Sequence, residues 1–121
     1  MTTPLASVVI DCADPRKLAR FWLDITGYAL RSDEDDWASI HPPEGGVFIA
    51  FQRVPEAKSG KNRVHVDLAA TDVEAEVGRI QALGARRLWD SDDPKDVFVV
   101  LADPEGNEFC IVARSSSSPE G

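Results

Sequence analysis

Residues 7–22 read SVVIDCADPRKLARFW, and residues 65–80 read HVDLAATDVEAEVGRI. Both stretches pass from a strand-like run through an Asp-led break into apolar residues at helical spacing. The register is constant, because Ser7 to His65 and Asp14 to Asp72 each span 58 residues. The second halves echo too: PPEGGVFIAF at 42–51 stands against DPEGNEFCIV at 103–112, with Gly45 and Gly106 61 residues apart. The chain therefore contains one unit twice. A unit of about 55–60 residues buries its apolar face poorly alone, so the copies are expected to pack together or to pair across a dimer.

Within the first copy, Val8-Val9-Ile10 predicts a strand over about 6–12. Asp14 is placed as a helix N-cap with Pro15 at the first helical position. Leu18, Phe21, Trp22 and Ile25 form the buried stripe, and Gly27 ends the helix. Strands follow at about 28–32, 36–41 and 47–53, divided by the acidic turn SDEDD and by the turn HPPEGG, where His41 falls. A polar linker, PEAKSGKN at 55–62, leads to the second copy. There a strand is expected over about 63–69 and a helix over about 72–83. Thr71 and Glu74 are set to form a capping box, with Val73, Val77, Ile80 and Leu83 facing inward. Strands at about 86–90, 97–102 and 107–113 complete the copy, with DSDDPKD and DPEGN as its turns. Each copy is βαβββ, and the fold class is α+β.

The whole chain has 121 residues, 43% of them hydrophobic, and a net charge of −8. That charge argues against nucleic acid and against anionic membrane surfaces as partners, since both need clustered Lys and Arg. No stretch approaches a membrane span. Cys12 and Cys110 form no CxxC pair, and the N-terminus has no secretory pattern, so a cytoplasmic protein with reduced thiols is expected. The segment 116–121 is small and polar, and is expected to be disordered.

VVIDCADPRKLARFW in the first copy, with RVHVDLAATDVEAEVGRIQALGA and VLADPEGNEFCIV in the second, resembles the vicinal oxygen chelate superfamily. The likeness is strongest to its glyoxalase-like domains, within the glyoxalase–bleomycin resistance–dioxygenase family. It implies a single domain over 1–115, with modules at about 5–54 and 62–114 forming paired half-barrels around a cavity. It also implies a homodimer. The superfamily includes lyases, isomerases, dioxygenases, thiol transferases and drug-binding proteins, so fold alone names no reaction.

Enzymes of this kind hold a divalent metal through residues on the first and last strand of each copy. By the resemblance those positions fall on Ser7, His65, Cys110 and Ile49, with Phe51 or Gln52 replacing Ile49 if the strand shifts. Only His65 is a typical ligand there, so neither metal nor other cofactor is expected. Strand alternation points Ser7, Val9 and Asp11, and likewise His65, Asp67 and Ala69, to one face. The opposite set, Val8, Ile10, Cys12, Val66, Leu68 and Ala70, suits packing under the helices. His65 is the candidate general base, with Asp67 and Asp11 as catalytic partners. Ser7, Cys110, Trp37 and Trp89 are the candidate ligand-binding residues, the tryptophans by stacking on a flat molecule. The expected function is binding of a small organic metabolite or antibiotic in the cavity between modules, or metal-free catalysis on it. A divalent-metal lyase, isomerase or dioxygenase is the alternative, and a structural or regulatory partner is a third class.

Overall fold

A computed structural model describes residues 1–114; the expectation for 116–121 lies outside the described residues. The chain divides into two compact units, Met1–Lys58 and Ser59–Gly121. The first runs β1 (Ser7–Cys12), α1 (Pro15–Thr26), β2 (Ala29–Asp33), β3 (Trp37–His41) and β4 (Phe48–Arg53). The second runs β5 (Val66–Ala70), α2 (Val73–Ala82), β6 (Arg86–Asp90), β7 (Phe98–Ala102) and β8 (Glu108–Ala113). Both are βαβββ, as the repeat predicts. Among the described residues, no helix is long and apolar enough to cross a membrane.

Each unit makes one four-stranded mixed sheet, ordered β1-β4-β3-β2 and β5-β8-β7-β6. The first and last strands of a unit pair in parallel, and the remaining neighbours are antiparallel. Parallel neighbours cannot be joined by a tight turn, so the helix and two strands between them form the long connection. The register also shifts at matching places, between Leu30 and Ser32 in β2 and between Arg87 and Trp89 in β6.

The helices cover one face of their sheets. In α1, Asp14 accepts a hydrogen bond from the Lys17 backbone N at 3.2 Å, Pro15 opens the helix, and Gly27 closes it at φ 71. Pro15, Leu18, Ala19, Phe21 and Trp22 are buried, with Phe21 and Trp22 packed edge to face. Beneath them lie Ile40 and Phe51, both fully buried. Burying a side chain of this size stabilises the fold by about 1.5–3 kcal/mol.

In α2 the cap differs from expectation. Asp72, not Thr71, accepts from the Ala75 backbone N at 3.1 Å. Glu74 is drawn away from any capping box, because its carboxylate holds Arg87 at 2.8 and 3.1 Å. Asp72 thus repeats the role of Asp14. Val73, Val77 and Ile80 are buried as expected, but Leu83 is 37% exposed because the helix ends at Ala82 and Leu83 is its C-cap.

β5 begins at Val66 rather than near residue 63. Before it, side chains replace the ladder: Asn62 Nδ2 donates to the Glu108 carbonyl at 3.0 Å, and Lys61 Nζ reaches Glu108 Oε1 at 2.7 Å. The acidic turns are less solvated than their composition suggests. Asp33 and Asp35 take Arg16, Asp33 also takes Arg20, and Asp90 takes Arg87. At the DPEGN turn, buried Asp103 accepts from the backbone N of Glu105 and Asn107, both at 2.9 Å, and from Asn107 Nδ2 at 3.1 Å. Gly106 there has φ 88, a conformation costly for residues with a Cβ.

Asp72→Ala is expected to lower the unfolding free energy by about 1 kcal/mol in urea denaturation, and Thr71→Ala by less than about 0.5 kcal/mol. Equal losses at the two positions would refute this assignment of the cap.

Candidate functional site

The parallel ladder decides what meets in the second unit. Asp67 pairs with Cys110, Cys110 with Val100 on the next strand, and Val100 with Trp89 on the strand after. Paired residues put their side chains on the same face, so one row across the sheet carries Asp67, Cys110, Val100 and Trp89. With neighbouring strands about 4.8 Å apart, this row spans about 14 Å. His65, two residues before Asp67, falls on the same face, while Phe109 and Ile111 turn fully buried to the helix side.

This face opens into a pocket of about 450 Å³. Its walls are Trp89, Phe98, Val100 and Val112; its polar groups are His65, Asp67 and Cys110 with Lys61, Asn62, Asp96 and Glu108. All of these belong to the second unit. Trp89 is 52% exposed and meets Phe98 edge to face, with centroids 5.6 Å apart.

Asp67 is the hub of the polar groups. Its Oδ1 lies 3.3 Å from His65 Nε2, and the Cys110 thiol hydrogen-bonds its carboxylate. One donor atom from each of His65, Asp67 and Cys110 can be chosen so that all three lie within 4.8 Å of one another. Burial pushes the Cys110 thiol pKa up, and the negative charge and hydrogen bond of Asp67 push it further. The thiol is therefore a protonated donor at neutral pH, not an activated nucleophile. A neutral His65 donating its Nε2–H to Asp67 presents the Nδ1 lone pair as a base.

The sequence candidates thus divide. His65, Asp67, Cys110 and Trp89 come together around one pocket. Ser7, Asp11 and Trp37 lie in the first unit: Ser7 opens β1 opposite Phe48, and Asp11 and Trp37 both flank Gln52. Asp11 is exposed, and Ser7 and Trp37 are half-buried. The row matching the pocket row is Val9, Ala50, Ser39 and Ser32, which offers neither carboxylate nor imidazole. The first-copy counterpart of Cys110 is therefore Ala50 and not Ile49, which sits opposite Val8 on the helix side. His41 is not in the glycine turn but ends β3 on the face of Ser39. Its Nε2 lies 3.2 Å from Ser39 Oγ, and its ring stacks on Phe48 at 4.2 Å. Burial, and secondarily the charge of Arg31, lower its pKa. It is a packed, hydrogen-bonded histidine.

Sequence reasoning missed Lys61, Asn62, Asp96, Phe98, Val100, Glu108 and Val112. Alternation from Cys110 would have found Glu108 and Val112, and alternation along β7 would have joined Phe98 to Val100.

The divalent metal implied by the resemblance can be tested against these donors. The first unit supplies only the Ser7 hydroxyl and the Ala50 methyl at the corresponding positions, which do not make a metal site. The second unit supplies an imidazole, a carboxylate and a thiol, one donor more than His65 and Cys110 alone. This set fits a borderline cation such as zinc better than a hard one, at the cost of deprotonating Cys110.

Alkylation of Cys110 by iodoacetamide, followed by peptide mass spectrometry, is expected to rise with pH only above the ordinary thiol range of about 8.5. Asp67→Asn removes the charge that opposes the thiolate and shifts this rise to lower pH. An unchanged profile would show that Asp67 does not control the thiol.

The pattern of elements and residues matches known proteins. The model of the glyoxalase-like domain family matches residues 7–112. Among curated proteins nothing matches the chain. A glyoxalase/bleomycin resistance protein/dioxygenase family enzyme of Burkholderia phytofirmans PsJN superposes with TM-score 0.77 at 19% identity, covering 92% of this chain and 98% of that one. The fosfomycin resistance protein FosX of Listeria monocytogenes, in complex with Mn(II) and 1S,2S-dihydroxypropylphosphonic acid, gives 0.78 at 15% identity over 96% and 94%. The bleomycin-binding protein of Streptomyces verticillus, complexed with copper(II)-bleomycin, gives 0.67 at 18% identity over 95% and 99%. At these identities the structures speak for the fold alone. The family match spans most of the chain, and with it the βαβββ duplication has its explanation: this protein belongs to the glyoxalase-like domain family, with the vicinal oxygen chelate fold.

Proposed function

We propose that the second-unit pocket binds a small, partly aromatic organic molecule without a metal. The observation that carries this reading is the single row Asp67–Cys110–Val100–Trp89, which combines hydrogen-bonding groups at one end with an open indole at the other. A concave, largely apolar pocket with a few convergent polar groups is the usual form of a ligand site. Solved proteins of the same fold hold a phosphonic acid and copper-bleomycin, so the scaffold serves small-molecule binding elsewhere.

In this reading Trp89, Phe98, Val100 and Val112 exclude water from the flat part of the ligand. His65, held by Asp67, accepts a proton or hydrogen bond from its polar end, and the Cys110 S–H donates. A reaction would consist of proton abstraction by His65 Nδ1, with Asp67 stabilising the resulting imidazolium.

A second reading is favoured by the three close donors. His65, Asp67 and Cys110 would hold a divalent ion, which would supply Lewis acidity toward a substrate oxygen.

Calorimetric titration of a panel of small aromatic metabolites separates the two. With chelator present, ligands of the wild-type protein are expected to be weakened at least about tenfold by Val112→Trp, which adds bulk to the pocket wall. Any catalysed reaction should survive chelation and disappear in His65→Ala with unchanged circular dichroism. Near-stoichiometric zinc in freshly purified protein, lost in His65→Ala, would instead establish the metal reading.

A further inference from the structure

The charge of this pocket carries the functional reading one step further. We infer that the pocket selects an organic cation bearing a flat aromatic ring, which Trp89 stacks and the carboxylates of Asp67 and Asp96 attract. This inference rests on the reading of the pocket as the binding site.

Three carboxylates line the pocket, those of Asp67, Asp96 and Glu108, against the single ammonium of Lys61. Lys61 is already committed, at 2.7 Å, to Glu108, whose side chain is only 20% exposed. Asp96 is left without a lysine or arginine partner among the described residues, and Asp67 meets only His65 and the Cys110 thiol. Asp67 lies on the sheet floor beside the apolar wall, and Asp96 lies on the exposed turn above β7. Both are exposed, Asp67 with 54% of its side chain open, so their attraction is strongest at low salt and falls as salt rises.

Trp89 supplies the second, independent recognition element. Phe98 abuts the indole at an interplanar angle of 76°, an edge contact, and Trp89 as a residue is 52% exposed. An aromatic face attracts a cation through its ring quadrupole, while Asp67, three strands away at the other end of the row, acts on it only at longer range. An anionic ligand would have to face Asp67 and Asp96, or pull Lys61 from Glu108 and leave that carboxylate unpaired. A neutral aromatic ligand would gain the stacking alone. In the first unit the matching row, Val9, Ala50, Ser39 and Ser32, has neither indole nor carboxylate; Asp11 and Trp37 stand one row away, on either side of Gln52.

The test uses three size-matched probes at pH 8 and low salt: N-methylquinolinium, 2-methylquinoline and quinoline-2-carboxylate. By calorimetry the full chain is expected to bind the cation at least about tenfold more tightly than either of the others. Trp89→Ala and Asp96→Asn should each weaken the cation at least about threefold, and Asp96→Lys should reverse the preference toward the carboxylate. Trp89 and Asp96 are exposed, so these variants leave the core intact. Equal or tighter binding of the neutral or anionic probe, lost in Val112→Trp, would overturn the cation inference while keeping the pocket as the ligand site. Cation binding that persists in both Trp89→Ala and Val112→Trp would overturn it as diffuse attraction to an acidic protein. Failure of the cation to bind at roughly 5 mM would also overturn it, since that is beyond the weakest affinity such a site should show.

Discussion

The parallel pairing of the first and last strand of each unit is the constraint on which the rest depends. It joins residues some 40 positions apart, Val9 to Ala50 and Asp67 to Cys110. Such closure costs chain entropy before any contact repays it. What repays it is the apolar face it completes: Phe51 in one sheet, Phe109 and Ile111 in the other, all fully buried beneath a helix. The opposite face is then determined by alternation. In the second unit that face becomes the pocket, so the pairing that closes the sheet also lines the pocket.

Within the pocket, Asp67 holds two neighbours at once. It gives His65 a partner and keeps the Cys110 proton in place. The two effects are coupled through one carboxylate. Removing its charge would free the imidazole and ease ionisation of the thiol together. The first unit, with Val9 at the equivalent place, has no such hub. Duplication therefore preserved backbone and core while the chemistry of the two faces diverged.

The local physics of this chain is readable from sequence to a considerable depth. The β-branched runs, Asp14 with Pro15, Gly27 and the helical stripes each report one element through nearest-neighbour effects. The alternation of Val66, Leu68 and Ala70 against Asp67 and Ala69 divides the more buried face of β5 from the exposed one. What escaped reading depends on interstrand register. Gly45 and Gly106 are 61 residues apart, but the paired positions Ala50 and Cys110 are 60 apart, so counting from the glycine turns placed Ile49 where Ala50 belongs. A loop absorbs such a difference without cost, whereas in a strand it exchanges the two faces. Thr71 and Asp72 are both competent caps, and only the pull of Arg87 on Glu74 shows which motif is disfavoured. Lys61 and Asn62 looked like linker because their partner, Glu108, lies at the far end of the unit.

Every strand pairing described above closes within its own unit. The backbone hydrogen-bond pattern therefore records nothing about which unit comes first along the chain. Exchanging the two, second before first, would leave all eight strands with the same neighbours and the same registers. Serial order in this protein is therefore not a requirement of its sheets.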